Sequence, residues 1–287
     1  MALTNTSTAA GALGRTIGDA VIAFNHVNVM YPLVTVQQAS RGSNHVNFSD
    51  WTKLTSGDVT AATQATTTTA VAITTVARTA TVSEHVIAST VSDLVLMGSG
   101  DDIVGQAGTA LGNAVAAKLD DDLVELGKGV SQTECGAGTG LALSDIFGGM
   151  RQLRAASAPM PYSLVLSPKQ VWGAKGLSGL LVDPSAGAQA DNPLSASKLA
   201  NGVVGSIAGF DVYWSDQINE DVGSGGDAAG FAFSRGAVGL AVGVDGLFRI
   251  ETERNASFRT TEYVAVGFWG EIEIKDGVGV YILSDVS

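Results

Sequence analysis

The chain has 287 residues, enough for one large or two modest domains with a substantial core. Its formal net charge is −12, so the chain lacks the basic surface expected of a nucleic-acid-binding protein. Its one cysteine excludes an internal disulfide and a thiolate metal cluster. We expect no secretory signal, and no apolar run approaches the ~20 residues of a membrane-spanning helix. Because only 15% of the residues are charged, we expect additional surface to be buried against copies of the chain.

Residues 1–42 form a leader of small and polar side chains around one apolar patch. Residues 16–23 have the pattern of a short helix, and residues 29–36 that of an extended piece broken by Pro32. Two interpretations stay open for this leader: a flexible terminus, or an arm that lies on a neighbouring subunit.

Residues 43–82 have the pattern of a long two-stranded β-hairpin. Val46 and Phe48 alternate with polar residues, residues 56–58 are a turn, and residues 66–78 are rich in β-branched side chains. An isolated hairpin is marginal in water, and its edges invite pairing. We therefore expect this hairpin to be either disordered or docked on something outside its own domain.

A helical period returns in residues 83–96, with Ser83 as the candidate N-cap. Residues 98–127 then predict one long amphipathic helix of roughly 39 Å, along which the rest of the chain should lie. Ser99 or Asp101 is the candidate N-cap, and Gly127 is expected at a left-handed position just after the last turn. The expected apolar stripe consists of Ala107, Leu111, Val115, Leu119, Leu123 and Leu126.

The second half of the chain predicts shorter elements and a β-rich end. Ser144 is the candidate cap of a helix, and Ser167-Pro168 opens another. Predicted elements are a glycine-rich loop at 130–140, a buried strand at 162–166, a loop at 177–192, a short helix at 197–202, a strand–turn–strand at 205–215, and antiparallel strands at 231–244, 247–252, 260–268, 270–275 and 278–283.

The histidine, cysteine and clustered aspartate residues of this sequence do not form a recognisable catalytic or metal-binding pattern. The three histidines lack metal-ligand spacing, and Cys135 beside Glu134 is a poor nucleophile. Residues 120–122 are three aspartates, which indicate a solvated helix face or ion pairs between subunits rather than a metal site. We predict no catalytic, cofactor-binding or metal residues and no enzymatic activity.

A rival from another class is a glycine-rich surface adhesin, or a hydrolase that uses Ser195 and Lys198. These two residues match an S-x-x-K pattern, but the S-D-N and K-T-G motifs that accompany it are missing. Catalysis would need Ser195 on a rigid element in a pocket, and export would need a targeting route.

Three stretches in order carry a resemblance to a known family. They are residues 46–93 leading into the long helix, the strand and proline-started helix Y-S-L-V-L-S-P at 162–168, and the G-S-I-A-G-F-D-V-Y motif at 205–213. With the strands at 248–283, the chain resembles the HK97-fold major capsid protein of tailed bacteriophages over nearly its whole length.

The resemblance implies an α+β capsid fold. It has an N-terminal arm (1–42), an extended hairpin called the E-loop (43–82), a P-domain (83–158 and 245–287) with a spine helix at about 101–126, and a compact α/β A-domain (159–244). It also implies a structural shell protein that assembles as hexamers and pentamers around double-stranded DNA, without sequence-specific binding or a membrane. The implied location is the virion, after assembly in the host cytoplasm, with portal and in some cases scaffolding or decoration proteins as partners.

Two departures from the family pattern matter. About forty residues precede the hairpin, too few for a cleaved scaffolding segment, so scaffolding is expected to be a separate protein or absent. Lys53 is the only lysine of the hairpin, and nothing marks it for an isopeptide cross-link. A rival within the fold is an encapsulin-like nanocompartment shell; the extended arm and the long polar hairpin favour the phage interpretation.

The expected contacts between subunits lie in the hairpin and in residues 249–262. Along the latter strand Arg249, Glu251 and Glu253 share one face, and we expect Arg254 or Arg259 to face an acid of an adjacent subunit. A solvated strand face is the alternative. The predicted contact residues are Trp51, Lys53, Arg78, Arg249, Glu251, Glu253, Arg254 and Arg259.

Overall fold

Two β-sheets, a two-stranded hairpin and one long helix form the fold in a computed structural model. The structure describes residues 20, 28–59, 61, 70–98, 102–177, 205–222 and 225–287. Its helices are α1 (Asp93–Gly98), α2 (Ile103–Gly127), α3 (Leu143–Ala155) and α4 (Pro168–Trp172). Its strands are β1 (Thr35–Gln38), β2 (His45–Trp51), β3 (Thr75–Thr81), β4 (Ser83–Ser92), β5 (Thr133–Gly140), β6 (Tyr162–Leu166), β7 (Ser206–Ile207), β8 (Phe210–Trp214), β9 (Asp227–Ser234), β10 (Val238–Val242), β11 (Phe248–Asn255), β12 (Thr260–Glu273) and β13 (Gly279–Asp285).

The long strand β12 organises the first sheet. It pairs antiparallel with β4 along one edge, from Thr260 opposite Ser92 to Trp269 opposite Ser83. β11 and β10 pair with β12 one after the other along the opposite edge, and β1 joins β10 in parallel. The two strands predicted at 260–268 and 270–275 are therefore one strand, because both halves of β12 have partners on the same edge.

The second sheet has the order β5-β13-β9-β6-β8-β7. Strands β6 and β9 are buried along their whole length, which confirms the buried strand predicted at 162–166. Residues 130–140, predicted as a loop, contain β5, which pairs in parallel with β13. β10 lies in the first sheet while β13 lies in the second, so sheet membership crosses the predicted domain limits, and the division into domains stays a prediction.

Helix α2 confirms the predicted long helix, and its 25 residues span about 37 Å. Asp102 is the N-cap and accepts a hydrogen bond from the Gly105 amide at 3.3 Å; Ser99 and Asp101 lie outside the described residues. The predicted stripe is buried at its centre, and its ends are half-buried. The buried members are Leu111, Val115, Leu119 and Leu123.

Two expectations about α2 were wrong. Gly127 is the last helical residue rather than a left-handed residue beyond it. Glycine is required there for packing, since a Cβ would lie 2.7 Å from Cγ of the Phe231 ring. Asp120 is not on a solvated face, since only 1% of it is exposed. Its neighbour Asp121 is half exposed, whereas the Asp122 side chain is mostly covered and accepts the Trp269 indole N–H. Both pair with Lys118 of the same helix.

The described part of the N-terminal segment packs on its own chain, and contact of the arm with a neighbouring subunit stays a prediction. Asp120 accepts the amide N–H of Val29 at 2.8 Å and that of Met30 at 3.0 Å. Pro32 lies in a 3₁₀ turn (Tyr31–Leu33), after which β1 pairs with β10. A Cβ on Gly112 would overlap the Ala20 carbonyl group, so glycine there permits the close approach of this segment. Residues 1–19 and 21–27, with most of the predicted helix at 16–23, lie outside the described residues.

Residues 83–96, predicted as a helix, form the strand β4 and the short helix α1. The β-branched residues Val86, Ile87, Thr90 and Val91 suit a strand, and the continuous ladder with β12 provides the partner that a local pattern cannot reveal.

The remaining predictions divide between confirmed and corrected details. Ser167 caps α4 by accepting the Gln170 amide at 3.1 Å, and β7 and β8 form the predicted strand–turn–strand. Helix α3 begins after Ala142, whose amide donates to Asp145 at 2.9 Å, so Ser144 is not its cap. The loop and helix predicted at 177–202 lie almost wholly outside the described residues, and so do Ser195 and Lys198.

Candidate assembly surfaces

The base of the hairpin is fixed to the body of its own chain. Strands β2 and β3 pair from His45 opposite Thr81 to Trp51 opposite Thr75. Near the base, Phe48 is 1% exposed and packs in a small core with Val46, Ala80, Ala39, Ala241 and Ile274. Lys275 also reaches Asp50 of β2, with 3.0 Å between Nζ and Oδ1. The hairpin therefore leaves the body at a defined position.

The described residues in the far part of the hairpin have little cover from their own chain. Trp51 is 62% exposed. The predicted contact residues Lys53 and Arg78 are also exposed. Further exposed apolar side chains here are Leu54, Val59, Val71, Ile73 and Val76. Exposed apolar side chains that form a contiguous patch mark interaction sites, among them contacts between subunits. Contact of these residues with a neighbouring subunit stays a prediction.

A cleft lies between β4 and α2, next to the base of the hairpin. The rings of His85 and Trp269 stack at 4.0 Å with an interplanar angle of 6°, and the Trp269 indole N–H donates to Asp122 at 3.1 Å. Beside this stack Val86 and Ile87 are exposed. Sequence reasoning missed the cleft, because a helix was predicted for the segment that forms one wall.

The charged residues of β11 are satisfied partly within the chain. Arg249 pairs with Glu251 on the same face of the strand at 2.8 Å. Arg254 binds both carboxylate oxygens of Asp93, at 2.7 and 2.6 Å, and this contact lowers the Asp93 pKa. Because Arg254 is engaged in its own chain, the predicted contact with an acid of another subunit rests on Arg259.

Arg259 lies in the turn between β11 and β12, next to an exposed apolar surface that sequence reasoning missed. Its backbone is in the left-handed region (φ 50°), and its carbonyl accepts the Asp93 amide at 3.0 Å. This bond and the Arg254–Asp93 pair connect the turn to α1. Leu94, Met97 and Phe258 are each more than three-quarters exposed there. Glu253 is exposed on the same strand. The run L-V-L-M after Asp93 was the available signal.

The Cys135 thiol lacks the lowered pKa of an activated nucleophile. Burial raises the pKa of the Cys135 thiol to about 11, so little thiolate exists at neutral pH. No group of three His, Cys, Asp or Glu side chains within the described residues is arranged to hold a metal ion. None of the described helices is both long enough and apolar enough to span a membrane.

Comparison of the chain with known proteins gives matches in structure but not in sequence. No protein-family model and no curated protein sequence matches it. The capsid structure of the cyanophage P-SCSP1u is similar, with a TM-score of 0.68 and 14% identity over 89% of this chain and 88% of that one. The capsid of Ralstonia phage GP4 gives a TM-score of 0.65 and 11% identity over 91% of this chain and 92% of that one.

A virus-like particle from Pyrococcus furiosus is also similar, with a TM-score of 0.60 and 10% identity over 94% of this chain and 98% of that one. The expected fold class is therefore confirmed: this chain has the mixed α and β fold of phage capsid subunits, over nearly the full length of each.

Proposed function

We propose that the chain is the major capsid protein of a tailed bacteriophage, which assembles in many copies into an icosahedral head around double-stranded DNA. The observation that carries this proposal is the common fold with the P-SCSP1u capsid over 89% of this chain and 88% of that one. A structural rather than an enzymatic role is part of this proposal, and the shared capsid fold supports it.

The contrast between the buried base of the hairpin and the exposed residues beyond it supports self-assembly. Phe48 fixes the base, whereas Trp51 and the apolar residues beyond it are exposed. Burial of these exposed residues against a neighbouring copy stabilises the assembly. Because the shell is symmetric and closed, the same modest contact occurs in every subunit. The proposed oligomers are the hexamers and pentamers of a shell.

The proposed location and partners of the chain follow from its proposed role in a shell. The subunits would assemble in the host cytoplasm and end in the virion, with a portal protein and, in some systems, scaffolding or decoration proteins as partners. The net charge of −12 suits a container that encloses DNA without sequence-specific binding, because like charges limit adhesion to phosphate.

The second candidate is an encapsulin-like nanocompartment shell. Its support is the similarity to the virus-like particle of Pyrococcus furiosus, which covers 94% of this chain. Particles isolated from the natural source and banded by density distinguish the two functions. The phage proposal predicts that the chain is the main protein of dense particles holding nuclease-protected double-stranded DNA. Particles filled with an enzyme and lacking DNA would contradict it.

A further inference from the structure

The cleft between β4 and α2 has the size and lining of a receptor for one aromatic side chain. Its volume is about 240 Å³, the space of about eight water molecules. Most of the lining is apolar, and the stacked rings of His85 and Trp269 form one side. The other lining residues include Val86, Ile87, Ala114 and Lys118.

The edge of β4 beside this cleft is open. Within the described chain, β4 pairs only with β12, which leaves the other edge of its ten residues without a strand partner. Edge strands are commonly protected by lysine or proline, and β4 contains neither. An extended segment of another chain can therefore lie against this edge while one of its side chains enters the cleft.

Trp51 is a matching side chain that its own chain leaves uncovered. It is the last residue of β2, six positions and about 20 Å from His45 at the hairpin base. With Trp51 62% exposed and Val86 58% exposed, the two do not cover each other within one chain. Tryptophan is enriched among the residues that dominate binding at protein interfaces.

The charges that flank the two surfaces are complementary. Lys53 follows Trp51 by two residues, and Glu84 precedes the cleft residue His85. Both are exposed, and neither forms an ion pair among the described residues. Opposite charges beside an apolar contact fix the register of docking more than its strength.

We propose that Trp51 of one copy inserts into the cleft between β4 and α2 of a second copy, with Lys53 of the first beside Glu84 of the second. This inference rests on the proposed shell and names one contact that holds it together. Because donor and receptor are different surfaces of the chain, the contact is head-to-tail, and its repetition closes a ring when the rotation between copies permits.

Disulfide trapping between copies tests the contact. In a Cys135→Ser background, the double variant Lys53→Cys and Glu84→Cys is assembled into particles and oxidised with oxidised glutathione. A disulfide requires Cα atoms within about 7 Å, so the proposed contact predicts a ladder of covalent oligomers on a non-reducing gel. Mixed single variants should give dimers only.

The matched control pairs Lys53→Cys with Thr90→Cys, which lies on the same face of β4 about 20 Å from Glu84 and should give no ladder. Particles of the double variant without a ladder, or with an equal ladder from the control, would overturn the contact and leave the shell intact. Failure of the unmodified chain to assemble at all would instead reject the shell, and this contact with it.

A second measurement keeps the inference independent of cysteine chemistry. Trp51→Ala removes the inserted side chain, and Ala114→Leu fills the cleft. Each should lower particle yield at least tenfold, and the double variant should lose no more than either single one, because both remove the same contact. The thermal melt of the unassembled subunit checks that each variant folds. Independent, additive losses would contradict the insertion.

Discussion

At the scale of single residues, Asp120 joins the N-terminal segment to α2 at the cost of a buried charge. It accepts two backbone N–H groups, and no cation among the described residues pairs with it. Burial raises its pKa from 3.8 to about 6; the hydrogen bonds from Val29 and Met30 oppose the shift, and Asp216 adds to it. Sequence periodicity placed Leu119 and Leu123 correctly but not Asp120, because its partners are about ninety residues away in the chain.

This shift predicts how stability depends on pH. The folded state holds the Asp120 proton more tightly than the unfolded chain. The resulting contribution of Asp120 to the free energy of unfolding is therefore fully present below about pH 4 and is lost as the pH rises through about 6. Between pH 7.5 and pH 5, unassembled subunits should become more stable, by at most about 1.4 kcal/mol per pH unit from this group. Denaturant unfolding at several pH values measures the slope.

Asp120→Asn should flatten that slope, because the amide does not titrate. Asp121→Asn, next in sequence but paired with Lys118 outside the core, is the control and should keep it. Equal slopes in the unmodified chain and in Asp120→Asn would show that Asp120 does not titrate in this range.

At the scale of elements, the described part of the hairpin has a buried base and exposed residues beyond it. Phe48→Ala should destabilise the unassembled subunit by about 3 kcal/mol, since it empties a buried site. Trp51→Ala, three positions further along the same strand, should change subunit stability by less than about 0.5 kcal/mol. Chemical unfolding of both variants measures the difference. Comparable losses of stability would mean that the hairpin end is covered within its own chain.

Strand β4 shows where element prediction fails. Val86, Ile87, Thr90 and Val91 fit a helical face at spacings of three and four, yet their β-branched side chains also suit a strand. The register with β12 decides between the two, and that partner lies about 180 residues away. By contrast, β6 and the cap of α4 were predicted correctly, because their signals are local: a short apolar run followed by Ser167-Pro168.

The turn between β11 and β12 carries the remaining prediction of a charged contact. Arg259→Glu should lower particle yield more at low salt than at high salt, because screening shortens the reach of the new repulsion. Arg259→Gln has the same left-handed backbone position without the reversed charge and serves as the control. Assembly yields at several salt concentrations, measured by sedimentation, give the comparison. Full yield of Arg259→Glu at every salt concentration would rule the contact out.

At the scale of the whole molecule, the order of the segments along the chain was predictable from the sequence. The assignment of consecutive strands to different sheets was not. The hairpin, the long helix and the β-rich end each have a local pattern. Between residues 227 and 285, however, the chain passes from the second sheet to the first and back. Turn and strand patterns in the sequence indicate where strands begin and end. Which strands pair with each other depends on residues that are distant in the chain. For the same reason the exposed cleft, which is built across β4 and α2, could not be seen in the sequence. The exposed surface of Leu94, Met97 and Phe258 left only a partial signal, the run L-V-L-M after Asp93.

We propose above that many copies of this chain close into one shell. Cryo-electron microscopy of the purified, assembled chain tests it most directly. We expect icosahedral particles in which the subunit has the fold described above and the far part of each hairpin lies on a neighbouring copy. Subunits that stay monomeric or dimeric at every protein and salt concentration, or shells whose hairpins contact only their own chain, would contradict it.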